Sequence, residues 1–317
     1  MNNPRRAFLS QLTFMAGVAA LNKPLASVAA ITKHINTLHT AKNAVTIYHT
    51  NDLHGNVDAV HENIGGLNQI KKLLKNEEIN GLLLDAGNFI NASNNLAQQK
   101  QVLYMMNSMG YHAAAIGNQE LSSGEDHLAS LIPLMKFTLV NCNLQFNNKL
   151  SSLVKPYIII NSGNFKTGIT GVCSKVNGIK YNDAIKSANN VARLLKEDEK
   201  CDLIICLSHL GHKQEGDTPD NQKLAEQSEN IDIIIGGDNR KLFKNAIVHR
   251  NKLKHEVILA QTAWNGLMMG RTIVNFDDKK QKNGIRAKHY IPGMPANQCY
   301  SVSFSDLQLI KKTPLAV

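Results

Sequence analysis

Short, almost wholly apolar runs alternate along the chain with amphipathic stretches of helical period. AVTIYHTND (44–52) alternates and then turns polar, the pattern of a strand running into a loop. GGLNQIKKLLKNEE spaces Leu67, Ile70, Leu73 and Leu74 along one helical face, and GLLLD (81–85) reads as a short strand apolar on both sides. QQKQVLYMMNSMG predicts a helix stopped by Gly110, AAAIGN a buried strand, and GEDHLASLI a short helix whose run ends at Pro133. FTLVNCNL resumes the strand pattern, and YIIIN and KTGITGV form two strands joined by a Ser-Gly-Asn turn. A helix over 184–199, the strand CDLIICLSH, a helix over 219–229 and the strand IDIIIGG follow. VILAQTA, LMMGRTIVNF and IRAKHYI close the pattern as strands joined by polar turns.

Strands this apolar need cover on both faces, so the alternation predicts an α/β fold with helices outside its sheets. The hairpin-like runs in the middle and at the end add antiparallel pairs to what would otherwise be an open parallel sheet. No internal repeat interrupts residues 44–300, which read as one folded unit. Pro292 and Pro295 mark a loop, and residues 301–317 read as a tail with no further domain after it. A chain of 317 residues with 43% hydrophobic residues is long enough to bury a sizeable core.

The opening thirty residues follow a different grammar. Arg5 and Arg6 precede Phe8 and Leu9, a mild apolar run extends from Leu12 to Leu21, and small residues lead to Ala30. A cationic head, a short apolar stretch and a small-residue cleavage site mark residues 1–30 as a targeting segment of the twin-arginine type, cleaved near Ala30 or retained as an anchor, with a linker over 31–43. The apolar run is too short to give a stable membrane span. Cleavage removes Arg5, Arg6 and Lys23 and no acid, lowering the formal charge from +10 to +7. The remaining lysines and arginines are scattered, which argues against a nucleic-acid partner. The five cysteines are irregularly spaced and form no CxxC pair, so they read as small buried hydrophobes.

Candidate chemistry gathers where apolar strands end. The first strand end carries Asp52 and His54 in NDLHGN, the next Asn88 in DAGN, and the third Asn118, Gln119 and Glu120 in GNQELSSG. Later ends carry His209 in SHLGH, then Asp238 and Arg240 in GGDNR. Layered α/β folds bind ligands beyond the carboxyl ends of their strands, so these distant segments can converge. Asp-x-His offers a hard oxygen and an imidazole nitrogen from one loop, a sensible metal-ligating pair that is weak evidence alone and stronger when such ends repeat.

The ordered blocks DLHG, DAGN, GNQE, SHLG and GGDN, from about Val45 to Phe276, resemble the calcineurin-like metallophosphoesterases, and within them the catalytic domain of periplasmic 5'-nucleotidases. The resemblance implies a four-layer αββα sandwich, two mixed sheets flanked by helices. It also implies phosphate-ester hydrolysis by two divalent metals that supply the nucleophile and neutralise charge on the phosphate oxygens. Carried over by position, Asp52 and His54 match metal ligands, Asn118 matches the asparagine ligand, and His209 matches a later histidine. Asn88 stands where the family has its bridging aspartate. Gln119 and Ser122 replace the transition-state histidine and the aspartate that orients it, and Asp238 and Arg240 replace two histidines.

Those replacements remove charge and proton chemistry. A neutral amide cannot bridge two cations with a shared negative charge, and Gln119 cannot act as an acid. The sequence therefore predicts an exported 5'-nucleotidase-like protein with a degenerate site and no catalytic residues. Asp52, His54, Asn88, Asn118, His209 and Asp238 remain as its metal-position residues. No cofactor is expected, or at most one divalent ion such as manganese or zinc, held by Asn118, His209 and Asp238. Arg240, with His54, His209 and Asn118, is the candidate set for a phosphate-containing small molecule, while a pairing of Arg240 with Asp52 would make the pocket structural. A separate polypeptide in place of the family's C-terminal domain is a second candidate partner. The alternative activity is phosphate-monoester hydrolysis at an altered metal centre.

Overall fold

Alternation at period two decides the layering. Along the strand Leu203–His209, the side chains of Leu203, Ile205 and Leu207 enter one apolar cluster while Ile204 and Cys206 enter another. A strand buried on both faces has to lie between two layers. A computed structural model describes residues 31–34, 43–76, 81–93, 95–243 and 245–294, and the leader, most of the expected linker and the tail fall outside them.

In chain order the strands are β1 (Ile31–His34), β2 (Ala44–Thr50), β3 (Leu82–Asp85), β4 (Ala113–Ala115), β5 (Thr138–Val140) and β6 (Leu144–Gln145). Then come β7 (Tyr157–Ser162), β8 (Phe165–Cys173), β9 (Lys180–Tyr181), β10 (Leu203–His209) and β11 (Ile233–Gly236). The last four are β12 (Ile247–Arg250), β13 (Glu256–Ala260), β14 (Met269–Phe276) and β15 (Lys282–Tyr290). The helices are α1 (Gly66–Asn76), α2 (Leu96–Met109), α3 (Glu125–Leu131), α4 (Asn148–Leu153), α5 (Ala184–Glu197) and α6 (Asn221–Gln227).

One sheet runs β1-β7-β8-β10-β11-β13-β12 and the other β15-β14-β2-β3-β4-β5. Within them β8, β10, β11 and β13 are parallel neighbours, as are β2, β3, β4 and β5. Ile47, Leu84, Ile160, Ile169, Ile205 and Ile235 fill the space between the sheets. Leu67 and Ile70 of α1 and Val102 and Met106 of α2 cover the outer face of the second sheet over Tyr48 and Leu83. On the far side, Ala188, Ala192 and Leu195 of α5 and Leu224 of α6 cover Ile204, Cys206 and Ile234. The order helices, sheet, sheet, helices is the expected αββα sandwich.

Several local readings needed revision. FTLVNCNL is not one strand, because the Asn141 carboxamide oxygen accepts from the N–H groups of Asn143 and Leu144 and turns the chain between β5 and β6. The six-residue α4 escaped the helical pattern and starts on an Asn147 cap that accepts from the Leu150 N–H. Residues 31–34, read as the start of a linker, run parallel to β7 as an edge strand. Cys173, Cys201 and Cys206 are buried free thiols as expected and Cys142 is partly buried, while Cys299 lies outside the described residues.

Candidate functional site

Parallel strands put their carboxyl ends on one edge of the sandwich, and that edge gathers the polar residues. Loop 52–55 after β2 is fastened to loop 87–89 after β3 by three backbone bonds, from Asp52 to Gly87, His54 to Asn88 and Gly55 to Phe89, at 2.8–3.0 Å. Asp52, His54 and Asn88 all take left-handed backbone angles, with φ of 52°, 50° and 57°. Asp238, after β11, is left-handed too at φ 90° and donates its N–H to both carboxylate oxygens of Asp52, at 3.1 and 3.3 Å. His209 ends β10, with its Nε2 at 3.9 Å from Asp52 Oδ1 and 3.7 Å from Asp238 Oδ1. His54 Nε2 stands 3.6 Å from Asp52 Oδ1. The elements leave little slack: a Cβ at Gly117 would come within 2.3 Å of Asn88 Oδ1 and 2.8 Å of His209 Nε2.

The orientation of the Asn88 amide follows from a neighbour that can only donate. The backbone N–H of Gln119 donates to Asn88 Oδ1 at 2.9 Å, which fixes the oxygen on that side. The NH2 group therefore faces the other way, donating to Asn118 Oδ1 at 3.0 Å and to Asp52 Oδ1 at 3.4 Å. Asn88 thus links two of the candidate ligands to each other through its own protons.

Two further carboxyls brace this arrangement from below. Glu120 is fully buried and accepts the N–H groups of Asn88, Gly117 and Ile90 at 2.8, 2.8 and 3.1 Å, tying the loop after β3 to the loop after β4. Burial raises its pKa, and those N–H groups together with nearby His209 offset the rise only in part. Asp85, at the end of β3, accepts from the Thr50 hydroxyl at 2.6 Å and the Gly87 N–H at 2.8 Å. Burial drives its pKa well above the ordinary carboxyl range, with the charges of Glu120 and Asp52 adding to the rise. Asp52 behaves differently. Burial pushes its carboxyl up, but the His54 hydrogen bond, the charges of His209 and His54 and the Asn51 amide outweigh burial and hold it below the ordinary value. For Asp238 burial raises the pKa most, and Asp52 adds to the rise against the pull of His209.

The remaining sequence candidates scatter more. The Gln119 side-chain oxygen is buried without a hydrogen-bond partner, and Ser122 is exposed with its hydroxyl turned to the Gln119 carbonyl. Arg240 is half-buried and makes no ion pair among the described residues, so the suggested pairing with Asp52 is not formed. Three residues had no assigned role in the sequence reading. Glu120 was seen only as a neighbour, Asn51 holds Asp52 through its Nδ2 at 2.9 Å, and Asn265 stands 3.0 Å from His54 Nδ1 while its N–H donates to the Asp52 carbonyl at 2.7 Å. Asn265 sits in a loop after β13 with no motif around it, so no sequence signal pointed there.

Two stacked sheets flanked by helices, with Asp, His and Asn side chains converging at the strand ends, define the scaffold of the layered phosphoesterases. Residues 45–239 match the calcineurin-like phosphoesterase family, and the chain belongs to that family. It is 29% identical over 282 residues to the trifunctional nucleotide phosphoesterase protein YfkN of Bacillus subtilis, covering 74% of this chain and 18% of that protein. It is 26% identical over 274 residues to a snake venom 5'-nucleotidase of Naja atra, covering 74% of this chain and 51% of the relative. This chain therefore spans about half or less of the length of these two relatives. The crystal structure of a 5'-nucleotidase precursor from Thermus thermophilus superposes with a TM-score of 0.70 at 23% identity, over 85% of this chain and 57% of that one, a likeness of fold.

The family's paired-metal centre does not fit these residues. Among the described residues, no group of three or more His, Cys, Asp or Glu side chains is placed to hold a metal ion. At Asn88 the group facing Asp52 and Asn118 is an NH2 donor, which repels a cation and takes up an oxygen of each.

Proposed function

We propose that this chain is a non-hydrolytic member of the calcineurin-like phosphoesterase family that has kept the fold and adapted the strand-end site to bind a phosphate-bearing small molecule. The observation that carries the reading is the Asn88 amide, whose protons take up the oxygens that two cations would need. The half-buried Arg240, with His54, His209 and Asn118 at the same edge, supplies cationic and donor groups suited to an oxyanion. Elemental analysis of protein stripped with chelator and reloaded with manganese or zinc tests the reading. Less than one metal per chain, with background turnover of a nucleoside monophosphate, is the expected result. Two tightly held metals with metal-dependent turnover would overturn it.

One observation favours a second reading, a single-metal phosphoesterase. His209 Nδ1 bonds the Ala86 carbonyl at 2.8 Å and so carries the proton, leaving a buried Nε2 with no partner between two carboxylates. One metal per chain, lost in His209→Ala together with any turnover, would favour this alternative. We also propose export through the twin-arginine segment of residues 1–30. Replacing Arg5 and Arg6 by lysine should abolish appearance outside the cytoplasm, and an unchanged exported yield would refute that route.

A further inference from the structure

A fourth apolar cluster lies beside the strand-end site, separate from the three that hold the sandwich together. Trp264, Leu267 and Ile291 are buried in it, while Val60, Leu242 and Met294 pack on it half-buried. Its attachment to the site is direct. Asn265, the residue after Trp264, approaches His54 Nδ1 with its side-chain oxygen at 3.0 Å and donates its N–H to the Asp52 carbonyl at 2.7 Å. Leu242 lies two residues beyond Arg240. The neighbouring segments are braced as well, since the Gly66 N–H donates to the Asn265 carbonyl at 2.9 Å and the Gly65 N–H to the Pro292 carbonyl at 3.0 Å. A Cβ at Gly266 would meet the Gly66 nitrogen at 2.9 Å, so these turns touch backbone to backbone. A shelf held this way needs little reordering to receive a ligand.

The same turn holds two N–H donors with no acceptor. Trp264 is 7% exposed, and its Nε1 has no hydrogen-bond partner. Asn265 is fully buried, and with its oxygen turned to His54 its Nδ2 is left without a partner too. Buried donors are nearly always paired, so two on consecutive residues call for an acceptor from outside the chain. Apolar side chains at the margin, two donors and the Arg240 guanidinium two residues from Leu242 suit one kind of molecule, an oxyanion carrying a ring-sized apolar group. A polar substituent would shed water against Val60, Leu242 and Met294 and find no hydrogen-bonding side chain on them.

We propose, resting on the phosphate-binding reading of the strand-end site, that its ligand is a phosphate monoester of an apolar, ring-bearing alcohol. Trp264, Val60, Leu242 and Met294 receive the ring, while Arg240 and the histidines take the phosphate. The Trp264 and Asn265 N–H groups donate to oxygens near the ester link. Trp264 is thereby a specificity-determining residue as well as a packed one.

Trp264 is the sole tryptophan of the chain, so its fluorescence reports on this shelf alone. The full chain is titrated with inorganic phosphate, glycerol phosphate and phenyl phosphate at fixed ionic strength, and phosphorus NMR follows all three. Phenyl phosphate should bind about tenfold or more tightly than glycerol phosphate, the gain expected from burying a ring, and should alone change the Trp264 emission. Leu242→Asn, at the half-buried margin, keeps the fluorophore and should erase that preference. Trp264→Phe keeps a ring but removes the N–H, and should weaken phenyl phosphate about fivefold by phosphorus NMR. Melting curves confirm that both variants fold. Equal binding of phenyl and glycerol phosphate, or a preference that survives Leu242→Asn, would overturn the proposal and leave the phosphate site standing. No binding of any of the three would refute the phosphate reading itself, and this proposal with it.

Discussion

Asn88→Asp changes one amide nitrogen to oxygen and turns a donor into an acceptor at the centre of the site. The new oxygen would face Asp52 Oδ1 across the 3.4 Å now spanned by the amide. With an effective dielectric constant of about 20, two unit charges at that separation repel by about 5 kcal/mol. The new carboxyl can avoid this by holding a proton, but moving its titration from about 4 to above pH 7 costs about 1.4 kcal/mol per unit, again roughly 5 kcal/mol. Relaxation and water entry lower both figures, so the substitution should destabilise the metal-free protein by about 3–5 kcal/mol, or about 10 °C in Tm. Divalent metal should then return part of the loss: at 100 times its Kd a bound ion stabilises by about 2.7 kcal/mol. Differential scanning calorimetry in chelator and in manganese reads both terms. The parent should shift by less than about 1 °C between the two conditions, whereas Asn88→Asp should fall in chelator and recover partly in manganese. A variant as stable as the parent in chelator would show that the Asn88 amide does not hold the site together.

Three further outcomes follow from the same geometry. The combined change Asn88→Asp, Gln119→His, Ser122→Asp, Asp238→His and Arg240→His should bind two metals by elemental analysis and gain manganese-dependent phosphomonoesterase turnover, whereas single reversions should show almost none, because residues sharing one site act non-additively. Glu120→Ala would leave the N–H groups of Asn88, Gly117 and Ile90 without acceptors and should cost about 3–6 kcal/mol by urea denaturation. Asp85, raised by burial, binds its proton more tightly when folded, so its stabilising contribution is complete below about pH 4 and is lost as pH rises toward its folded pKa. Asp85→Asn cannot titrate and keeps a carbonyl oxygen to accept the Gly87 N–H, so its Tm should decline less than the parent's between pH 5 and pH 8; parallel declines would show that Asp85 is ionised in the native state.

How much of this was readable in the residues varied with the kind of force involved. β10 was plain from LIICLSH because burial on both faces leaves an uninterrupted apolar run. β6 and β9 pair over two residues each, and nothing local distinguishes such a pair from a loop until the rest of the fold brings them together. The convergence of Asp52, Asn88, Asn118, His209 and Asp238 followed from the parallel-strand pattern, since strand ends share an edge. The direction of the Asn88 amide did not follow, because a backbone N–H from a different loop sets it. Arg240 was offered as a partner for Asp52, but the oxygens of Asp52 already receive the Asp238 N–H and the Asn51 and Asn88 amides, and no position in the sequence records that competition.

The left-handed residues at the strand ends set what can be changed without harm. Asp52, His54, Asn88, Asp238 and Arg240 all hold positive φ, a conformation that side-chain-bearing residues adopt at a cost of roughly 1–3 kcal/mol each. Asn is among the side chains that tolerate it best, so the turn at Asn88 carries little of that cost. Arg240 is half-buried at φ 43° and makes no ion pair among the described residues. Glycine at that position would relieve the left-handed strain, so the edge of the site holds a reserve of stability of roughly 1–3 kcal/mol.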